Sequence, residues 1–226
     1  MTQLLLGLEG TSQARRLSRL YLALLPPPEV VPAIAGIVSA WRLRCGPAFR
    51  FYDPAVWHIS LFRAWEGATL HDGQIAHVIA KVRQLRAPPV EVVFDVAGSL
   101  PGRTQDWPLV LMPSGNLVGV IRLAAAIGHC VAPARKLPHS ALPHLTLGRG
   151  RRLPLERLPD AIRFRASHFA LIASGGAPWA VHAEFPLDGA DFPDLPVSEP
   201  PLTLDLFGPT CPPVAENTFG PHAPGT

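Results

Sequence analysis

Residues 58–63 read His-Ile-Ser-Leu-Phe-Arg, and residues 144–149 read His-Leu-Thr-Leu-Gly-Arg. Both runs are His, apolar, hydroxyl, Leu, any residue, Arg. The stretch 57–63 is rich in aromatic and β-branched residues and lies between Pro54 and Gly67, which predicts a strand. Residues 144–149 predict a second, short one. On a strand, residues i and i+2 point to the same face. Each run therefore sets an imidazole beside a hydroxyl and turns Ile59, Leu61, Leu145 and Leu147 towards a core. Two such strands facing each other line a groove with His58, Ser60, His144 and Thr146.

Outward from these runs, strands alternate with helices. Residues 19–25 (RLYLALL) predict a strand stopped by Pro26, Pro27 and Pro28. Val30, Ile34, Ile37, Val38 and Trp41 recur at helical spacing up to Gly46-Pro47. Ile75, Val78, Ile79, Val82 and Leu85 share one amphipathic spacing with Leu117, Val120, Ile121, Ala124 and Ile127, which predicts two more helices. Further strands are predicted at 90–96, 109–112, 163–173 and 179–185. The sum is an α+β protein with antiparallel or mixed sheets. Neither GxGxxG nor GxxxxGK[ST] occurs, so a Gly-rich phosphate loop is unsupported.

Of the 226 residues 48% are hydrophobic and 16% charged, which excludes wholesale disorder. The 27 prolines exclude an all-helical bundle, because each breaks a helix interior. Cys45, Cys130 and Cys211 lie far apart without a CxxC pair, so zinc-ligand spacing is absent and a reducing cytoplasm is expected. The longest apolar stretch, 20–41, is broken by prolines and Glu29, and no membrane span is expected. Residues 1–16 are expected to be a flexible leader, 17–187 the folded body, and 188–226 a disordered tail. The tail holds nine of the 27 prolines and no Lys or Arg. The net charge of +3 hides a division. Residues 1–187 hold all 20 Lys and Arg and 11 of the 17 Asp and Glu, a net +9, and the tail carries −6. A basic body suits a polyanionic substrate, with the acidic tail expected to shield it weakly.

Paired imidazoles and hydroxyls suit phosphoester cleavage without metal. An imidazole with its ordinary pKa near ~6.5 is neutral or protonated at working pH. A neutral one takes a proton from water, and a protonated one gives a proton to the departing ribose oxygen. Hydroxyls donate to the phosphoryl oxygens as charge builds on them. The rival use of paired histidines, zinc, needs a third ligand that neither run supplies, so no metal is expected.

With Arg-Leu-Tyr-Leu-Ala-Leu at 19–24 ahead of the prolines and Ala-Glu-Phe-Pro-Leu at 183–187, the two motifs give the chain a family likeness. Over residues 17–187 it resembles the two-histidine (2H) phosphoesterases, in their bacterial 2′-5′ RNA ligase / RNA 2′,3′-cyclic phosphodiesterase branch. The resemblance implies a bilobal, pseudo-two-fold fold, each lobe supplying one motif to a central groove. It implies cofactor-free opening of 2′,3′-cyclic phosphates to 2′-phosphates, with reversible 2′-5′ RNA ligation. His58 is then the proton donor, His144 the proton acceptor, and Ser60 and Thr146 bind phosphate, although the residues alone do not orient the donor and acceptor. The implied partners are RNA ends or a small nucleotide, taken by a monomer. Two departures stand out: Ser60 replaces the usual Thr, and Arg63 and Trp65 stand where the branch continues Phe-Leu-Gly. Two other readings are a phosphoesterase on another small cyclic or 2′-5′-linked nucleotide, and an RNA-binding module with decayed catalysis. Survival of both histidines and both hydroxyls argues against the second.

Arg149 lies an odd number of residues from His144 and faces away from the groove unless the strand bulges at Gly148, when it becomes a phosphate contact. Arg63 is a second phosphate candidate. The run 148–152, Gly-Arg-Gly-Arg-Arg, reads as a flexible basic segment suited to an RNA backbone. Of the aromatics before the first motif, Phe51 and Trp57 read as core, and Tyr52 as a base-stacking residue. His139 precedes His144 by five residues in a loop and is a further histidine within reach of the groove.

Overall fold

The computed structural model describes residues 17–100, 106–115, 117–133 and 142–193. Strand β1 (Ser18–Leu24) buries Leu20, Leu22 and Leu24 on one side and stops before the three prolines. Helix α1 (Val31–Cys45) takes Pro32 in its first turn, where the missing N–H is harmless, and ends at Gly46 with φ 66°. Strands β2 (Arg50–Phe51) and β3 (Ile59–Gly67) follow. Helix α2 (Asp72–Val82) opens with a capping box in which the His71 N–H donates to Gln74 Oε1 at 2.7 Å. Then come β4 (Val90–Ser99), β5 (Trp107–Met112), helix α3 (Val118–Val131) and β6 (Leu145–Gly150). The described chain closes with β7 (Glu156–Ala166), β8 (His168–Gly175) and β9 (Ala180–Pro186).

All nine strands join one antiparallel sheet in the order β7-β4-β5-β6-β3-β1-β8-β9, with β2 paired to β6. The order reads symmetrically about the β6–β3 junction. There β1–α1–β3 on one side corresponds to β5–α3–β6 on the other, and each unit ends in one motif strand. The expected α+β, pseudo-two-fold, bilobal fold is present. Its two sheets are halves of a single sheet, joined between β3 and β6 through one residue pair, Ile59 with Leu145.

The faces of the sheet differ. One carries the main core, in which Leu22, Phe94, Leu111, Leu145 and Leu171 pack with Ile34 and Trp41 of α1, Val78 and Val82 of α2, and Leu123 and Ile127 of α3. The other face carries a small cluster in each half: Ala23, Ala170 and Ile172 in one, Val96, Val110 and Met112 in the other.

The strand expected at 163–173 is two strands, and this is a correction. Ile162, Phe164 and Ala166 of β7 join the main core, whereas in β8 it is Phe169, Leu171 and Ala173 that do so, with Ala170 and Ile172 buried on the other face. The alternation slips by one at Ser167, where the chain leaves the β4 half for the β1 half. A one-residue link between strands so far apart in the order requires a strongly curved sheet.

Past Leu187 the chain stays against the body. The Gly189 N–H donates to the Ala87 carbonyl at 2.9 Å, and the Arg122 guanidinium lies 5.2 Å from the Phe192 ring. The leader 1–16, the tail beyond 193, Cys211 and His139 lie outside the described residues. Among the described residues, no helix is long and apolar enough to cross a membrane.

Candidate active site

His58 and His144 sit immediately before β3 and β6. The residues after them, Ile59 and Leu145, are fully buried and paired across the junction. Antiparallel register about that pair sets position 58 opposite 146 and position 60 opposite 144, all on the face away from the main core. The structure thus brings His58, Ser60, His144 and Thr146 together. Ser60 is exposed and Thr146 half-buried.

The two imidazoles are held alike. His58 Nδ1 lies 2.9 Å from the Val56 carbonyl, and His144 Nδ1 lies 2.8 Å from the Leu142 carbonyl, each two residues back. A carbonyl only accepts, so each Nδ1 must carry the hydrogen and donate it. That leaves Nε2 of both rings for proton transfer, as a base when neutral and an acid when protonated. Burial holds both histidines below the ordinary imidazole value, against the raising effect of the carbonyl bonds. His58 is lowered further by the charge of His144, so the rings resist being protonated together. Part of the burial of His58 comes from Trp179, whose ring centre is 5.2 Å away, and Tyr21, at 6.2 Å.

A bulge follows each motif hydroxyl. In the β5–β6 ladder Val110 pairs with Thr146 and Leu109 with Gly148, so Leu147 is extra. In the β1–β3 ladder Ala23 pairs with Ser60 and Leu22 with Phe62, so Leu61 is extra. Each extra residue flips the alternation, and Arg149 and Arg63 come onto the face of the hydroxyls. The register places Arg63 opposite Tyr21. The bulge in β6 needs Gly148, because a Cβ there would strike the Arg50 carbonyl of β2.

Both arginines are braced. Arg149 donates from Nε to the Tyr52 hydroxyl at 3.1 Å and from one terminal nitrogen to the Asp106 carbonyl at 3.2 Å. The Asp106 carboxylate is 3.5 Å away. Arg63 donates to Glu66 at 3.0 Å, and Arg19 shares that carboxylate. Burial raises the pKa of the Tyr21 phenol, while the cations of Arg19 and Arg63 beside it act the other way.

The remaining candidates divide. Tyr52 is tethered by its hydroxyl to Arg149 and by its N–H to the Leu147 carbonyl at 2.8 Å. Trp57 is buried in the main core, and Phe51 lies between Phe49 and the Arg42 guanidinium, away from the imidazoles. The basic run is not a flexible segment at its start: residues 148–150 are β-strand paired with β5, because the bulge lets the ladder continue. Among the described residues, no three of His, Cys, Asp and Glu gather as a metal site requires.

Trp179 and Tyr21 escaped the sequence reading as residues of the site. Tyr21 was legible, since it alternates with Leu20 and Leu22 and so must face away from the core. Trp179 lies beyond the β8–β9 turn at Gly175, φ 82°, and no local pattern marks its contact with His58.

The sequence matches no family model and no curated protein. Solved structures do match. LigT of E. coli in complex with NADP+ aligns over 76% of this chain and 98% of its own, with TM-score 0.60 and 21% identity. Its complex with 3′-AMP aligns over 76% and 99%, with TM-score 0.60 and 20% identity. TT0787 of Thermus thermophilus aligns over 76% and 99%, with TM-score 0.57 and 20% identity. At such identities the likeness is one of fold. The chain has the fold of the two-histidine phosphoesterases, with an imidazole at the start of each of its two central strands.

Proposed function

We propose that this protein is a metal-independent phosphoesterase that opens 2′,3′-cyclic phosphate ends of RNA, or of a small nucleotide, to 2′-phosphates, with reversible 2′-5′ ligation by the same groups. The observation that carries this reading is the matched pair of imidazoles, each with Nδ1 tied to a carbonyl two residues back, which leaves Nε2 for proton transfer. Neutral His144 takes a proton from water as the water oxygen bonds to phosphorus. Protonated His58 gives its proton to the 3′ oxygen as the P–O3′ bond breaks, so one proton enters the pair and one leaves it. Ser60, Thr146 and Arg149 donate to the phosphoryl oxygens, where the charge grows. Tyr52 stacks on the base. The substrate is an RNA end or nucleotide met by a cytoplasmic monomer that needs no cofactor. Support also comes from E. coli LigT, whose structures of this fold include complexes with NADP+, ATP, 3′-AMP and phosphate.

The test is turnover of a nucleoside 2′,3′-cyclic phosphate in the presence of EDTA, with the product identified as the 2′-phosphate. His58→Ala and His144→Ala should each lower the rate by about 10²–10⁴. Undiminished turnover in the double variant would sink the assignment. A 2′-5′-linked dinucleotide in the same panel shows whether the substrate is instead of that kind.

A further inference from the structure

Arg63 and Arg149 occupy corresponding places in the two halves. Each lies three residues after a motif hydroxyl and is brought onto the site face by a single extra leucine. Each is held by a carboxylate, Glu66 at 3.0 Å or Asp106 at 3.5 Å, with a tyrosine beside it. Arg19 adds a second guanidinium on Glu66, as Arg50 does on Asp106 at 3.4 Å, so each group carries two cations against one anion. Exposed ion pairs contribute little to stability, so folding gives little reason for the arrangement. A braced guanidinium is, however, a prepared fork for phosphate. The Arg63 side chain keeps 43% of its surface exposed, leaving an open side. Along the site face β3 presents His58, Ser60 and then Arg63, so Arg63 lies one face position beyond Ser60, about 7 Å on by strand rise. That stride is of the order of the spacing between neighbouring phosphates of a nucleic-acid chain.

We propose that Arg63, oriented by Glu66 and assisted by Arg19, binds a second phosphate of the substrate, the one on the 5′ oxygen of the terminal nucleotide. The substrate class is then a 5′-phosphorylated nucleotide or an oligonucleotide with a cyclic end, in preference to a bare nucleoside 2′,3′-cyclic phosphate. This rests on the reading of His58 and His144 given above. Arg149 stands one face position beyond Thr146 in the same way; it is assigned to the reacting phosphate, and the 5′-phosphate dependence of the two variants separates the roles.

Calorimetric titration with adenosine 2′-phosphate and adenosine 2′,5′-bisphosphate tests it, beside turnover of adenosine 2′,3′-cyclic phosphate with and without a 5′-phosphate. In the wild type the 5′-phosphate should tighten binding about 10-fold or more. Arg63→Gln should remove most of that gain and lower the salt dependence of bisphosphate binding by about one unit of slope. Arg149→Gln should weaken both probes alike. An equal gain in wild type and Arg63→Gln, or no gain in wild type, overturns the proposal. The two failures are separable. Turnover without a gain from the 5′-phosphate removes the second-phosphate site and leaves the phosphoesterase reading. An Arg63-dependent gain without turnover of any cyclic substrate upholds the site and removes the catalytic reading.

Discussion

Ile59 and Leu145 are the residue pair through which β3 and β6 meet, and each directly follows the histidine of its motif. Both side chains are fully buried. The junction between the halves and the spacing of the two imidazoles are therefore set by the same contact.

Truncating this pair should damage stability and activity together. Ile59→Ala and Leu145→Ala should each cost about 2–5 kcal/mol in urea denaturation, by lost burial and the cavity left behind. Because the residues touch, the double variant should depart from the sum of the singles by about 0.5 kcal/mol or more. Strict additivity would mean that the contact does not couple the halves.

Protonation should favour the acid side. Burial, and for His58 the charge of His144, hold both imidazoles below the ordinary value. The reaction needs one neutral and one protonated ring, so the bell of kcat/KM against pH should centre below about 6.5. Stability follows the same linkage. The unfolded chain takes up protons near ~6.5 while the folded site resists them. The contribution of these histidines is therefore full above that pH and is lost as pH falls through the lower folded values. Urea midpoints at pH 7.5 and pH 5 should show the loss, and His58→Gln with His144→Gln should reduce it.

Trp179 should tune His58 more than His144. Its ring is 5.2 Å from the His58 ring and contributes to the burial that depresses that histidine. Trp179→Ala admits water, and the His58 pKa should rise towards the ordinary value in an NMR titration of the imidazole resonances. A larger shift at His144 would contradict the assignment.

The motifs were legible because a strand's period of two is local: His58 and Ser60, like His144 and Thr146, share a face on any strand. The pairing partners were not, because register is a tertiary property. No local rule says that Ile59 meets Leu145. The division at Ser167 was readable in principle, since the positions that join the main core change from even to odd between Ala166 and Phe169. The orientation of Arg149 turned on a bulge that a glycine at 148 permits without dictating. Arg63 is harder still, for its bulge at Leu61 has no glycine to mark it, and Glu66 is recognised as its brace only once β1 brings Arg19 alongside.

Gly148 offers the sharpest test of the β6 bulge. A Cβ at this position would meet the Arg50 carbonyl, so Gly148→Ala must push β2 away from β6. Such overpacking costs about 1–3 kcal/mol. The displaced segment includes Tyr52, whose N–H is bonded to the Leu147 carbonyl and whose hydroxyl accepts from Arg149. Arg149 therefore loses its brace, and KM for a cyclic phosphate should rise with a smaller change in kcat. Gly36 serves as the control. It is exposed within α1 with no atom near its would-be Cβ, so Gly36→Ala should stabilise the protein by about 0.5–1 kcal/mol and leave KM alone. A Gly148→Ala variant that binds and turns over substrate like the Gly36→Ala variant would show that the bulge does not position Arg149.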